Sequence, residues 1–449
     1  MTSVSEDFGS APVDLAEALP GVRLDAADLH ASVRDPALTS MTLLNEIASR
    51  FPEAVSFAAG RPYEGFYEVA GLHSRLRTFE RHLVTDLGLG PEDVRRTFFQ
   101  YGRTKGFIHH LITRHLENDE RMAVDPESVV VTTGCQEAMV LVLRALRRDD
   151  RDVILTAYPS YVGFLGATRL VDMPVRPVAE GPGGIDLADL AEQIRRARAE
   201  GLRPRACYVV PDFANPSGVS MSQADRGRLL ELAEREDVLI LEDNPYSMFH
   251  AGGSGRLPTL KSMDTGRRVV YFGSFAKTAF AGARVGYVVA DQPMADGGLF
   301  ADELAKLKSM LTLNTSTVAQ AVVGGFLLEN DCSVERATVR EAQVYRENLR
   351  AVVTGLRERF GDHGPVPGSG VSWNAPAGGM FVVVTLPFRA DDAMLEYSAD
   401  RFGVLWTPMH HFYAGDGGSH QIRLSFSVLS AERIGLGLDR LAALVADRA

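Results

Sequence analysis

Six short apolar runs recur along the middle of the chain: Val129 to Thr132, Val153 to Leu155, Ala206 to Val210, Val238 to Leu241, Val269 to Phe272 and Val285 to Val289. Helical segments lie between most of them, among these Glu137 to Leu146, Leu187 to Glu200 and Ala224 to Glu236. Apolar runs of this length fit buried strands, and strands alternating with helices pack most simply as a mainly parallel sheet with a helical layer on each face. The pattern therefore predicts an α/β fold. With 449 residues, 45% of them hydrophobic, the chain has material for a large core and for two or three structural units.

Beyond the sheet, a helical stretch from Leu304 to Glu329 leads into a long helix over roughly Ser333 to Arg359. Two further strands, Gly379 to Val384 and Gln421 to Phe426, then imply a second and smaller αβ unit. We divide the chain into an N-terminal arm with part of the small domain (1–60), a large domain (61–332) and a small C-terminal domain (333–449). The first 40 or so residues are expected to carry only short helical pieces.

Several classes of function are disfavoured. A formal net charge of −11 is unsuited to nucleic acid, whose binding depends on clustered basic side chains. The start of the chain lacks the basic and apolar stretches of a secretory signal, and no run reaches the roughly 18 apolar residues of a membrane span. Cys135, Cys207 and Cys332 are widely spaced and odd in number, which fits reduced thiols and a cytoplasmic location. No histidine spacing reads as a metal site; His109, His110 and His115 read as the polar face of a helix, and the pair His410-His411 stays open between packing and a role at the site.

In a parallel α/β sheet, ligands gather beyond the carboxyl ends of the strands. Those ends carry Gly134-Cys135-Gln136 at a helix start, suited to a phosphate, and Tyr158-Pro159-Ser160-Tyr161 with an aromatic face for stacking. They also carry Asn215 in Asn215-Pro216-Ser217-Gly218, Asp243 in Glu242-Asp243-Asn244-Pro245-Tyr246, and Lys277 in Ser274-Phe275-Ala276-Lys277-Thr278. Only five of the 47 basic residues are lysines. Lys105, Lys261, Lys306 and Lys308 fall in segments read as exposed or helical, whereas Lys277 is flanked by apolar residues. Desolvation there favours the neutral amine that attacks carbonyls, so Lys277 is a candidate Schiff-base lysine.

Taken in order, Asn-Pro-x-Gly, Asp-x-x-Tyr, Ser-x-x-Lys and a late Arg resemble the fold-type I pyridoxal-phosphate enzymes of the class I/II aminotransferases. The likeness is strongest to the aminoadipate and kynurenine branch, and it runs from the segment Val55 to Pro62 through Arg423. Phe99 to Arg103 together with Pro211 to Asn215 also look like dihydroxyphenylglycine aminotransferases of peptide-antibiotic pathways. The resemblance implies pyridoxal 5′-phosphate as cofactor, with Lys277 as its Schiff-base partner and proton carrier. It implies Asp243 at the pyridinium nitrogen, Asn215 and Tyr246 at the phenolic oxygen, and Tyr161 stacked on the ring. Cys135, Gln136, Ser274 and Arg284 would hold the phosphate, Tyr101 would reach in from a second copy of a homodimer, and Arg423 with Gly60 would meet the substrate, Arg423 by a two-pronged pair with its α-carboxylate.

Three positions depart from the family's usual pattern: Ala276 for Ser, Ala281 for Pro and Cys135 for Ser. The segment Trp406 to Tyr413 is also unusual and is expected to shape the side-chain pocket, with His410 or His411 available to a substrate hydroxyl or phosphate. The expected reaction is amino transfer between an amino acid and a 2-oxo acid in secondary, natural-product metabolism. A carbon–carbon bond-forming elimination and addition is the alternative within the same cofactor chemistry. A DNA-binding regulator is a third reading, disfavoured by a short and acidic N-terminal arm.

Overall fold

The computed structural model describes residues 24–35, 38, 46–58, 60–252, 255–413 and 415–448. Within the expected arm, the described residues form two short 3-10 turns, Ala26–Asp28 and Ala31–Arg34. The first strand, β1 (Val55–Ser56), follows.

The large sheet comprises β2 (Val129–Thr132), β3 (Asp152–Tyr158), β4 (Val175–Gly181), β5 (Gly184–Ile185), β6 (Arg203–Val209), β7 (Leu239–Asp243), β8 (Val269–Ser274) and β9 (Gly286–Val289), in the order β2-β9-β8-β7-β6-β3-β4-β5. Pairings within β8-β7-β6-β3-β4 are parallel, and β9 runs antiparallel to both β2 and β8. Two reversals restore direction, so β2 points the same way as β8. The carboxyl ends of β2, β3, β6, β7 and β8 thus share one edge of the sheet.

Side chains alternate between the two faces, as the period of a strand requires. Ile154, Tyr208, Leu241 and Phe272 pack on one face with Ala138, Val142 and Phe164 of the helices Gly134–Leu146 and Val162–Leu170. Leu155, Cys207, Ile240 and Val269 pack on the other with Leu190, Ile194, Leu229 and Leu232 of the helices Leu187–Ala199 and Gln223–Arg235.

A smaller antiparallel sheet, in the order β10-β11-β14-β13, is built from β10 (Ser372–Trp373), β11 (Phe381–Thr385), β13 (Thr407–Pro408) and β14 (Gln421–Ser425). Between β11 and β13 in sequence, β12 (Val404–Leu405) pairs in parallel with β1. That pairing sets Phe57 alongside β14: Ser425 donates its N–H to Phe57 O.

One helical stretch is expected over Leu304 to Glu329, but two helices stand there, Phe300–Leu311 and Thr317–Glu329. Ser316 caps the second through its side chain, so the break is a local hydrogen-bond choice that apolar periodicity does not register. His115, expected on a polar face, is buried and paired with Asp119 at 2.7 Å.

Candidate active site

Strand ends of the large sheet enclose a cavity of about 420 Å³ lined by Cys135, Gln136, Met139, Tyr161, Val210, Asn215, Asp243, Pro245, Tyr246, Ser274, Ala276, Lys277 and Arg284. Its size suits a small ligand. Nine sequence-selected residues therefore converge although the chain separates the outermost by some 150 positions.

Lys277 follows β8, and its ammonium donates to Gly60 O at 2.7 Å. Burial, reinforced by the charges of Arg423 and Arg284, pushes its pKa down to about 8. Among the described residues no carboxylate pairs with it. Lys105, Lys261 and Lys308 correct the expectation for lysines in exposed or helical segments: all three are buried, and each is paired with a carboxylate, Asp302, Asp291 and Glu137 respectively. Lys277 differs from them in lacking such a counter-charge, and that is what leaves its amine available.

Asp243 ends β7, and its Oδ2 accepts from the Tyr208 hydroxyl at 2.8 Å. Burial pushes the carboxyl up to about 6, and the Tyr208 hydrogen bond opposes the rise. Sequence reading missed Tyr208. The available signal was a hydroxyl-bearing ring near the end of an otherwise apolar run; Phe164 stacks on that ring at 3.7 Å between centroids.

Arg423 lies on β14 between Val383 and Thr407 of the neighbouring strands. It is 6% exposed. Its guanidinium donates to Asn215 Oδ1 at 2.7 Å, Ala58 O at 2.9 Å and Thr407 Oγ1 at 3.1 Å, while its Nε has no partner. All three acceptors are neutral, and burial pushes the pKa down to about 10. Asn215 also reaches the Tyr246 hydroxyl at 3.5 Å, which joins Arg423 to the cavity. Burial raises the Tyr246 hydroxyl pKa and pushes that of Tyr161 up to about 12.

At the opposite end, the helix start Gly134-Cys135-Gln136 meets Arg284. Gly134 has φ +72°, and a Cβ there would lie 2.6 Å from Arg284 Nη2. Gly286 is equally constrained, since a Cβ would come within 2.8 Å of Cys135 N. Backbone N–H groups of a helix start together with a guanidinium form a site for a phosphate dianion. The Cys135 thiol donates to Gly273 O at 2.9 Å, and burial raises its pKa, so it is present as the thiol. A lysine amine without a counter-ion, an anion cradle and a carboxylate thus share one cavity, and these residues fit pyridoxal 5′-phosphate.

Tyr101 does not join them: it is 81% exposed on the loop after Phe99. The segment Trp406 to Tyr413 also behaves differently from expectation. Trp406 is fully buried and donates to Ser398 Oγ at 3.0 Å, so it packs the core and does not line the pocket. Phe412 remains near the site, its ring 5.1 Å from the Arg423 guanidinium carbon. His410 and His411 are absent from the cavity wall and turn to Asp392.

Fold and site together define a lysine-based pyridoxal-phosphate enzyme of the α/β type. Residues 90–441 match the family model for aminotransferase class I and II, and the chain belongs to that family. It is 52% identical over 426 residues, 95% of each chain, to a (S)-3,5-dihydroxyphenylglycine transaminase from Amycolatopsis orientalis. A 2-aminoadipate transaminase from Thermus thermophilus is 33% identical over 325 residues, covering 72% of this chain and 76% of the relative. Among solved structures, a multiple substrate aminotransferase from Thermococcus profundus superposes with a TM-score of 0.79 at 26% identity, covering 94% of this chain and 98% of the other. The protein is a pyridoxal-phosphate-dependent aminotransferase acting between amino acids and 2-oxo acids.

Proposed function

We propose that the amino acid is (S)-3,5-dihydroxyphenylglycine or a close hydroxylated arylglycine, handled in natural-product biosynthesis in the cytoplasm. The substrate assignment is supported by the 52% identity over 95% of both chains. The observation that carries the site assignment is that two cations without carboxylate partners among the described residues stand at one cavity, Lys277 in its wall and Arg423 hydrogen-bonded to Asn215 of that wall.

In this reading Lys277 would hold the cofactor covalently, Asp243 would serve its ring nitrogen, and Tyr161 would cover the ring. Asn215 and Tyr246 would serve its phenolic oxygen, while Arg284, Ser274, Cys135 and Gln136, which line the same cavity, would hold the phosphate. The cofactor supplies an electron sink for the pair of electrons left when Cα loses its proton. Lys277, with a pKa of about 8, suits the removal and return of that proton. Arg423 receives the α-carboxylate in a two-pronged pair, and Gly60, whose carbonyl accepts from Lys277, lines the approach.

The division into arm, large domain and small domain, 1–60, 61–332 and 333–449, completes the proposal, as does a homodimer. Phe99, Tyr101, Met310, Leu311, Leu313 and Val318 are exposed. Their segments meet where Thr317 Oγ1 donates to Phe98 O at 2.9 Å. An apolar patch of this kind is a subunit contact surface, and in a dimer Tyr101 is available to the neighbouring site.

Holoenzyme incubated with dihydroxyphenylglycine and no oxo acid should convert one equivalent per site and stop. Continued turnover would favour the elimination and addition chemistry. A kcat/KM for dihydroxyphenylglycine no higher than for 2-aminoadipate or kynurenine would remove the substrate assignment.

A further inference from the structure

His410 and His411 lie on the 3-10 turn Met409–Phe412, and Asp392 opens the helix Asp392–Phe402. Asp392 Oδ1 stands 2.8 Å from His411 Nε2 and 3.7 Å from His410 Nε2. One ligand atom from each of the three residues lies within 4.8 Å of the other two. The two imidazole rings are 4.1 Å apart between centroids. Among the described residues no lysine or arginine pairs with Asp392, whose carboxylate is met only by the two imidazoles.

We infer that Asp392, His410 and His411 form a binding site for a divalent transition-metal ion of the zinc class. Two imidazole nitrogens and one carboxylate oxygen are a donor set for Zn²⁺, Co²⁺ or Ni²⁺, whereas Ca²⁺ and Mg²⁺ call for oxygen donors throughout. Bonds of about 2.0–2.1 Å in tetrahedral geometry set donors roughly 3.3 Å apart. The carboxylate–imidazole spacings of 2.8 and 3.7 Å bracket that value, and the two imidazole donors lie within 4.8 Å of each other. All three residues are partly exposed, which leaves a coordination position open to water.

The site is placed to matter for the cavity without touching it. On the inner side of the same turn, Met409 and Phe412 are buried with Val162 and Val383 against Tyr161. Phe412 O accepts from Ser160 N at 2.9 Å. An ion joining the turn to the helix would therefore brace the wall shared by Tyr161 and Arg423.

The test uses tag-free, chelator-treated holoenzyme titrated with Co²⁺ and followed by its visible ligand-field bands, with Zn²⁺ competition. We expect one ion per chain, displacement by Zn²⁺, and a Zn²⁺-dependent rise in thermal midpoint. Asp392→Asn and His411→Ala should each weaken Co²⁺ binding by more than about tenfold, while cofactor absorbance and metal-free amino transfer stay at wild-type levels. His410→Gln, which keeps side-chain bulk, repeats the test if His411→Ala fails to fold. Binding that is unchanged in the variants, or no band below millimolar Co²⁺, would show a carboxylate–imidazole pair alone and overturn the inference.

Discussion

Arg423 offers a way to separate stability from function, because its charge is held at a cost. Its pKa falls from 12.5 to about 10, and at 1.36 kcal/mol per unit the buried charge costs about 3 kcal/mol. The sign is that of a depressed base: the penalty is complete at neutral pH and is relieved as pH rises from about 10 through 12.5. Arg423→Met removes this penalty but leaves Asn215 Oδ1, Ala58 O and Thr407 Oγ1 without one donor each. At about 1 kcal/mol net per hydrogen bond, that loss is also about 3 kcal/mol. The two terms cancel, so urea unfolding of the cofactor-free variant should lie within about 2 kcal/mol of wild type. Activity should behave otherwise. A substrate carboxylate that loses its buried cation forfeits about 3–4 kcal/mol, so kcat/KM for the amino acid should fall by about 10² to 10³. A fall of less than about fivefold would place the carboxylate elsewhere, and a stability loss beyond about 4 kcal/mol would mean that the charge supports the fold.

Lys277→Ala should yield protein without the covalent cofactor chromophore, and borohydride reduction of the wild type should leave an adduct at residue 277 on peptide mass mapping. Because burial holds the Lys277 pKa near 8, cofactor capture by cofactor-free protein should accelerate as pH rises to about 8 and level off above it. The unfolded chain binds the extra proton between there and the ordinary lysine value, so urea unfolding should show stability rising across that window. Tyr208→Phe removes the donor to Asp243 Oδ2, so the carboxyl rises further above about 6, and the acidic limb of the kcat/KM profile should move up by about one pH unit. Gly134→Ala combines a left-handed backbone with a 2.6 Å approach to Arg284; equilibrium dialysis should show cofactor affinity reduced about tenfold or more, with Gly88→Ala, where the added Cβ meets nothing, as the control for backbone strain alone.

Short-range pattern determined much of this protein. Apolar runs dictated the strands, because a strand buried on both faces has little choice of side chain, and the order of turn residues after those strands marked Asn215, Asp243, Tyr246 and Lys277. Local signals carried no information on partners distant in sequence. That Lys105, Lys261 and Lys308 are buried yet neutralised while Lys277 is not depends on carboxylates brought in by other elements. The same holds for the reversed strand β9, for the Tyr208 donor to Asp243, for the core placement of Trp406 and for the meeting of Asp392 with His410 and His411. Burial and charge pairing are properties of a packed arrangement in space, so the residue types in the chain were legible early, whereas the electrostatic state of each emerged only once the sheets had come together.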